Sequence, residues 1–216
     1  MKKIIVATAF ALIAGVTLMS AAMASPWHDG EQHKTISREF TVQPNTAFSL
    51  DSGVGEVQFR YHDKNTVEVQ LVIESDDDSW LTDGDIEDIE LTVDQTADEL
   101  ALSTNEQEDV KFTWTITMPQ MSNVDIDFGV GEISGDIRLT DVDIDLGVGE
   151  IDLHLLGGDV GRVEANAGIG DTKIRGINSE NTRAMISSQS ESHSNGAATV
   201  RADVGVGDIT LDFDQR

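Results

Sequence analysis

The sequence predicts an all-β protein in which an antiparallel β portion continues into a C-terminal β-solenoid, parallel β-helix-like, of about five coils. Apolar and polar residues alternate over most of the chain, most cleanly at Val110, Phe112, Trp114, Ile116 and Met118. A period of two marks a strand with one buried face. A unit also recurs, as Val124-Asp125-Ile126-Asp127-Phe128-Gly129-Val130-Gly131-Glu132-Ile133 and Val142-Asp143-Ile144-Asp145-Leu146-Gly147-Val148-Gly149-Glu150-Ile151. Its first glycines fall at 129, 147, 168 and 205, in steps of 18, 21 and 37 residues, and fixed periods near 20 signal stacked repeats. Helical repeats are excluded, because Gly-x-Gly inside each unit would cost about 2 kcal/mol per helix.

Taken in order, residues 1–24 read as a secretory signal peptide. Lys2 and Lys3 precede an apolar run from Ile4 to Met19, and Ala22-Met23-Ala24 supplies the small residues of a cleavage site. The expected address after cleavage at Ala24 is the periplasm, with the extracellular space or cell surface second. No further stretch is long and apolar enough to span a bilayer. Cysteine is absent, which excludes disulfides, thiolate metal sites and lipid attachment through a cysteine. Residues 25–35 read as a flexible lead-in, whose His28 and His33 belong to a solvated tail rather than a metal site.

Residues 36–119 form the expected antiparallel portion. Ser37 to Val42, Phe48 to Asp51, Glu56 to Tyr61 and Thr66 to Ile73 read as neighbouring strands joined by short polar loops, with Gly53-Val54-Gly55 breaking the second. Ser75-Asp76-Asp77-Asp78-Ser79 reads as a solvated acidic loop, since a calcium loop would alternate its oxygen ligands. Ile86 to Val93, Leu100 to Ser103 and Val110 to Met118 complete this portion, with Pro119 ending it.

Residues 120–216 carry the solenoid repeats and are expected to pack with 36–119 as one continuous unit. Within one repeat, Val142, Ile144, Leu146 and Val148 alternate and are expected to be buried. The glycine pairs Gly53/Gly55, Gly129/Gly131, Gly147/Gly149, Gly168/Gly170 and Gly205/Gly207 are read as a structural corner motif, permitting positive φ or close backbone approach. The step of 37 implies one motif-free coil between Ile177 and Thr199, with 187–196 protruding as a polar loop. The last coil is expected at an open edge guarded by Asp212, Asp214 and Arg216, through which self-association could run.

The same residues carry a resemblance. Met118-Pro119 followed by Val124 to Ile133 and Gly135-Asp136-Ile137, with Ser52 to Val57 and Leu156-Gly157-Gly158-Asp159-Val160, resembles the bacterial DUF4097 family of adhesin-like proteins over roughly residues 36–216. That resemblance implies a β-solenoid engaged in surface or periplasmic interaction, and brings no catalytic residues. The chain departs from the family pattern in its acidity and in the motif-free coil.

Charge narrows the partners. The net charge of −26 becomes −28 without Lys2 and Lys3, which repels nucleic acid and anionic lipid. A protein or another envelope component is the expected partner. One constellation could take a cation: coils stacked about 4.8 Å apart would line up Glu132, Glu150, Asp171 and Asp208, joined by Glu56. Asp127, Asp145, Asn166 and Asp203 would form a second row. Two carboxylates at that distance repel by about 0.9 kcal/mol in water, and Ca²⁺ would relieve them. The competing reading, which is favoured, has these carboxylates capping backbone amides at the corners or pointing apart into solvent. No catalytic residue is assigned, because a nucleophile elbow, a phosphate loop and a dinucleotide fingerprint are all missing. No cofactor is therefore expected, Ca²⁺ being the one candidate. The function classes, in order, are an exported interaction or scaffold module, a divalent-cation-binding protein, and a polysaccharide-active enzyme.

Overall fold

Alternating burial dictates the architecture. In the computed structural model, which describes residues 33–75, 86–105, 110–184 and 187–214, nearly every element is a strand. In chain order these are β1 (His33–Thr41), β2 (Ala47–Tyr61), β3 (Thr66–Ser75), β4 (Leu91–Gln95), β5 (Glu99–Thr104), β6 (Val110–Met118), β7 (Asn123–Arg138) and β8 (Asp141–Leu156). They continue with β9 (Val160–Ile169), β10 (Thr172–Arg175), β11 (Glu180–Ala184), β12 (Ser187–His193) and β13 (Ala198–Phe213). One short 3-10 turn, Ile86–Asp88, precedes β4. The residues expected to form a signal peptide, most of the expected lead-in and the expected acidic loop at 76–79 lie outside the described residues. His33–Thr35, expected in the lead-in, already belong to β1. Among the described residues no helix is long and apolar enough to cross a membrane.

The strands join in the order β1-β3-β6-β2-β7-β8-β13-β9-β12-β11. From β2 to β9 the pairing is parallel and in register, so Val124, Val142, Val200 and Val163 form one inward row that starts at Phe48. The chain must coil to achieve this. Two residues link Arg138 to Asp141 and can bridge only about 10 Å, yet Asp141 pairs with Asn123 at the start of β7. Sixteen straight residues would span about 50 Å, so β7 turns back on itself. Each long strand therefore makes two arms, whose inner faces supply one continuous core that includes Phe48, Leu50, Phe128, Ile144, Ile151 and Leu211.

Several sequence expectations are corrected here. Residues 36–119 are not simply antiparallel: β1/β3, β3/β6 and β4/β5 are, but β2 pairs parallel with β5, β6 and β7. β1 pairs with β3 and not with β2, because β2 belongs to the parallel stack. The last coil is not at an edge. β13 lies between β8 on one side and β9 and β10 on the other, so the C-terminal edge imagined for self-association is already paired within the chain. The segment after Ile177 is no coil but a hairpin, β11/β12, laid antiparallel on β9. It does not protrude: Ser188, Ser190 and Ser192 are buried. The Thr172 hydroxyl lies 2.9 Å from Ser188 Oγ and 2.7 Å from Ser190 Oγ, and Ser192 donates to the Asn178 carbonyl at 2.6 Å. Hydroxyls that satisfy each other can close a core end at little desolvation cost.

Candidate functional site

The stack's distinctive surface arises at the glycine corners. Before the corner of β8 the even-numbered Val142, Ile144 and Leu146 point inward; after it the odd-numbered Ile151, Leu153 and Leu155 do. A strand alternates strictly, so changing parity requires one residue out of phase, as in a bulge. Gly149, at φ +144°, makes the change. A Cβ there would stand 1.7 Å from the Gly131 carbonyl oxygen of the preceding layer, and one on Gly147 would stand 2.4 Å from that of Gly129. The glycines thus let successive backbones touch at the corner.

This geometry divides the two roles within each glycine pair and corrects one reading of it. The two members of a pair are not equivalent. Positive φ falls on the second alone, with Gly55 at +149°, Gly131 at +151°, Gly170 at +142° and Gly207 at +145° matching Gly149, whereas Gly53, Gly129, Gly147, Gly168 and Gly205 lack it. The second glycine is also the more tightly enclosed: a Cβ on Gly55 would meet the Phe112 carbonyl oxygen at 1.8 Å, one on Gly170 that of Gly207 at 1.8 Å, and one on Gly207 that of Gly149 at 1.6 Å. Nor does the pair generally break its strand. β2 runs unbroken through Gly53-Val54-Gly55, as β13 does through Gly205-Val206-Gly207; β7 beside β2 and β8 beside β13 carry their own glycine pair at the same register, so the ladder between them survives. Gly170 is the exception, lying in the gap between β9 and β10.

The parity change overturns one more expectation: Val148 is not buried with Leu146 but is 45% exposed. Its counterparts behave alike, with Val54 at 49%, Val130 at 45%, Val206 at 43% and Ile169 at 48%. Register aligns Val54 with Val130, Val130 with Val148, Val148 with Val206, and Val206 with Ile169. Five aliphatic side chains therefore form a continuous exposed ridge across five layers, about 19 Å long at 4.8 Å per layer. The sequence held the signal, since Leu146 and Ile151 are both inward at an odd separation.

The acids predicted to stack flank this ridge. Register puts Glu56 beside Glu132, Glu132 beside Glu150, and Glu150 beside Asp208; the Asp171 amide donates to Asp208 Oδ1 at 2.7 Å. Asp208 separates Glu150 from Asp171, an order that follows from the placement of β13. On the other side run Asp51, Asp127, Asp145, Asp203 and Asn166. Asp208 caps a backbone amide at a glycine corner. Glu56 pairs with Lys111 at 2.6 Å, and its carboxylate holds that ammonium above the usual lysine range, with Glu74 and Glu132 adding to the effect. Asp203 accepts from Asn166 Nδ2 at 2.7 Å and meets Arg201 Nε at 2.7 Å. Among the described residues no group of three or more His, Asp or Glu side chains comes together as a metal site would require.

Farther from the ridge, Asp125, Asp143, Arg201 and Glu164 form a third row. Burial pushes the Asp143 carboxyl above the usual range; Arg201 opposes this, while Asp145, Asp125 and Asp203 reinforce it. His154 is half exposed between Asp136 (3.2 Å) and Asp214 (3.0 Å). A solvent-open depression lies over β1, β3 and β6, lined by Ser37, Glu68 and Thr115 among others.

Comparison with known proteins places this geometry in context. The family model described as the N-terminal domain of toast_rack, DUF2154, matches residues 28–175. No curated protein matches the chain. Among solved structures, a putative cell adhesion protein from Clostridium sporogenes ATCC 15579 is similar at 16% identity and a TM-score of 0.48, covering 84% of this chain and 100% of that one. A putative adhesin from Bacteroides fragilis NCTC 9343 is similar at 13% identity and a TM-score of 0.24, covering 82% of this chain and 97% of that one.

Proposed function

The chain belongs to the family of the toast_rack N-terminal domain, DUF2154, and from that premise we propose that it is an exported interaction module that holds a protein partner on its corner ridge. One observation carries the reading. The five exposed aliphatics from Val54 to Ile169 are contiguous and in register, whereas aliphatics left on a surface by chance are scattered singly. The flanking acids serve this ridge as a charged rim. The basic and apolar leader with its Ala22-Met23-Ala24 end supports delivery to the periplasm, or to the cell surface as the second address. The Gly-Val-Gly-Glu pieces that resemble DUF4097 are, in this reading, the device that builds the ridge.

The test is photo-crosslinking from position 152, on the outward row next beyond Glu150, in intact cells. A discrete adduct with wild-type protein that disappears with the double substitution Val130→Asn and Val148→Asn supports the proposal. An adduct unchanged by that substitution refutes it, as would a polymer-hydrolysing activity abolished by changing a single carboxylate. A rise in melting temperature with millimolar Ca²⁺ would instead transfer the acid rows to a cation-binding role.

A further inference from the structure

We infer that the partner presents a cationic amphipathic α-helix, which lies along the stacking axis with its apolar stripe on the Val54-to-Ile169 ridge. The inference rests on the interaction-module reading and adds the chemistry of what is bound.

Backbone pairing removes the simplest alternative. Val130 and Val148 sit inside ladders that are paired with a layer on each side, so the ridge offers no free strand edge for an added β-strand. Contact must be made by side chains. Their spacing then discriminates between partner conformations. The ridge repeats every 4.8 Å or so. An extended segment repeats its same-face side chains about every 6.7 Å, and falls out of step by about 1.9 Å at each layer. A helix repeats every 5.4 Å per turn, about 0.6 Å out of step, which flexible aliphatic side chains absorb. A helix matching the 19 Å ridge needs about 13 residues, with apolar positions at i, i+4, i+7 and i+11.

Charge complementarity fixes the sign. The chain's own cations satisfy the ends of the acid rows, Lys111 at Glu56 and Arg201 at Asp203. In the centre, Glu132, Glu150, Asp127 and Asp145 make no ion pair among the described residues, and they lie on both sides of Val130 and Val148. A helix with lysines or arginines flanking its apolar stripe on both sides would neutralise these carboxylates while covering the valines. A second copy of this chain would bring acid rows against acid rows, and an anionic lipid surface would be repelled in the same way.

The experiment uses mature protein, residues 25–216, and three labelled, end-capped 14-residue peptides followed by fluorescence anisotropy. The first has leucines at i, i+4, i+7 and i+11 flanked by lysines. The second has the same composition with the stripe scrambled, and the third keeps the stripe but replaces lysine with glutamate. The expected result is binding of the first at least tenfold tighter than of either control, weakening as salt rises. Val130→Asn with Val148→Asn should reduce that binding at least tenfold without changing the melting temperature. Glu132→Gln with Glu150→Gln should reduce it and flatten its salt dependence. Equal binding of the first and scrambled peptides, unaffected by the valine substitutions, overturns the inference in favour of diffuse cation attraction. A dimer of the protein alone that dissociates with the valine substitutions overturns it in favour of a second copy, as does binding to vesicles in favour of lipid. If no peptide binds but the crosslinked adduct in cells still depends on Val130 and Val148, the helix is wrong and the interaction module stands. If the adduct is also indifferent to them, both readings fall.

Discussion

Ending the chain after Ala197 removes β13 together with residues 214–216, and the structure says this is not equivalent to trimming a terminal repeat. β13 separates β8 from β9 and β10 and is paired with both sides. Five of its larger side chains are in the core: Val200 and Leu211 at 0% exposure, Ile209 at 1%, Val204 at 3% and Phe213 at 6%. At about 1.5–3 kcal/mol for each buried side chain, their loss amounts to roughly 8–15 kcal/mol. That equals the whole stability expected of a natural domain, about 5–15 kcal/mol. Truncation would also leave two facing rows of backbone groups unpaired in the middle of the stack. The expected outcome is a chain without a cooperative urea transition, measured by circular dichroism against residues 25–216. The milder change Leu211→Ala should cost about 2–5 kcal/mol, whereas Val206→Ala on the exposed ridge should cost less than about 0.5 kcal/mol. A truncated chain that unfolds cooperatively near the full-length midpoint, with β8 and β9 amides still protected from exchange, would refute the insertion of β13 between them.

Other perturbations test separate parts of the structure. Gly149→Ala should cost about 1–3 kcal/mol for its positive φ and a similar amount for the contact with the Gly131 carbonyl, read as a lowered urea midpoint. Asp143 gives a pH test. Its folded-state carboxyl titrates above its unfolded value, so folding is favoured by its proton below the ordinary aspartate range, and this contribution is lost as pH rises through the raised value. Asp143→Asn should therefore be more stable than wild type at neutral pH, with the advantage shrinking on acidification below the ordinary aspartate range; a pH-independent difference would contradict this. Finally, Trp114 Nε1 donates to Ser52 Oγ at 3.1 Å in the core. Ser52→Ala should cost about 1–3 kcal/mol by orphaning the indole N–H, and markedly less when Trp114 is already phenylalanine.

Local patterning made much of this fold legible. Val110, Phe112, Trp114, Ile116 and Met118 are buried as their alternation indicates, and the two near-identical repeats stack residue on residue from Val124/Val142 to Ile133/Ile151. The order of the layers was not legible, because coils with the same motif offer each other the same hydrogen bonds and the same inward row. Connections decide it physically. Leu139-Thr140 carries the chain to the adjacent layer β8, whereas Gly157-Gly158-Asp159, with φ of +58° and +87° at its glycines, crosses two layers, about 10 Å, and leaves a slot for β13. Polarity misled the reading of residues 187–196. Their serines alternate like core residues and meet the hydroxyl of Thr172, a pairing invisible to hydropathy. The acid rows could be read from the repeat, but the ridge they flank could not be found by alternation alone, since alternation fails at the corner that creates it.

That failure of alternation links fold to proposed function. A bulge placed once would expose one valine, which no partner could distinguish from the rest of the surface. Placed at the same register in five layers, it produces a row whose spacing is set by main-chain hydrogen bonding rather than by side-chain conformation. The close contacts between successive glycines, such as Gly149 with the Gly131 carbonyl, leave the corners little room to slide past one another. Valine and isoleucine carry few rotamers, so little side-chain entropy remains to be lost when the ridge is covered. A surface fixed in this way binds with a smaller ordering cost than a loop of the same composition. The repeat thus supplies both the rigidity of the stack and the periodicity that a partner can match.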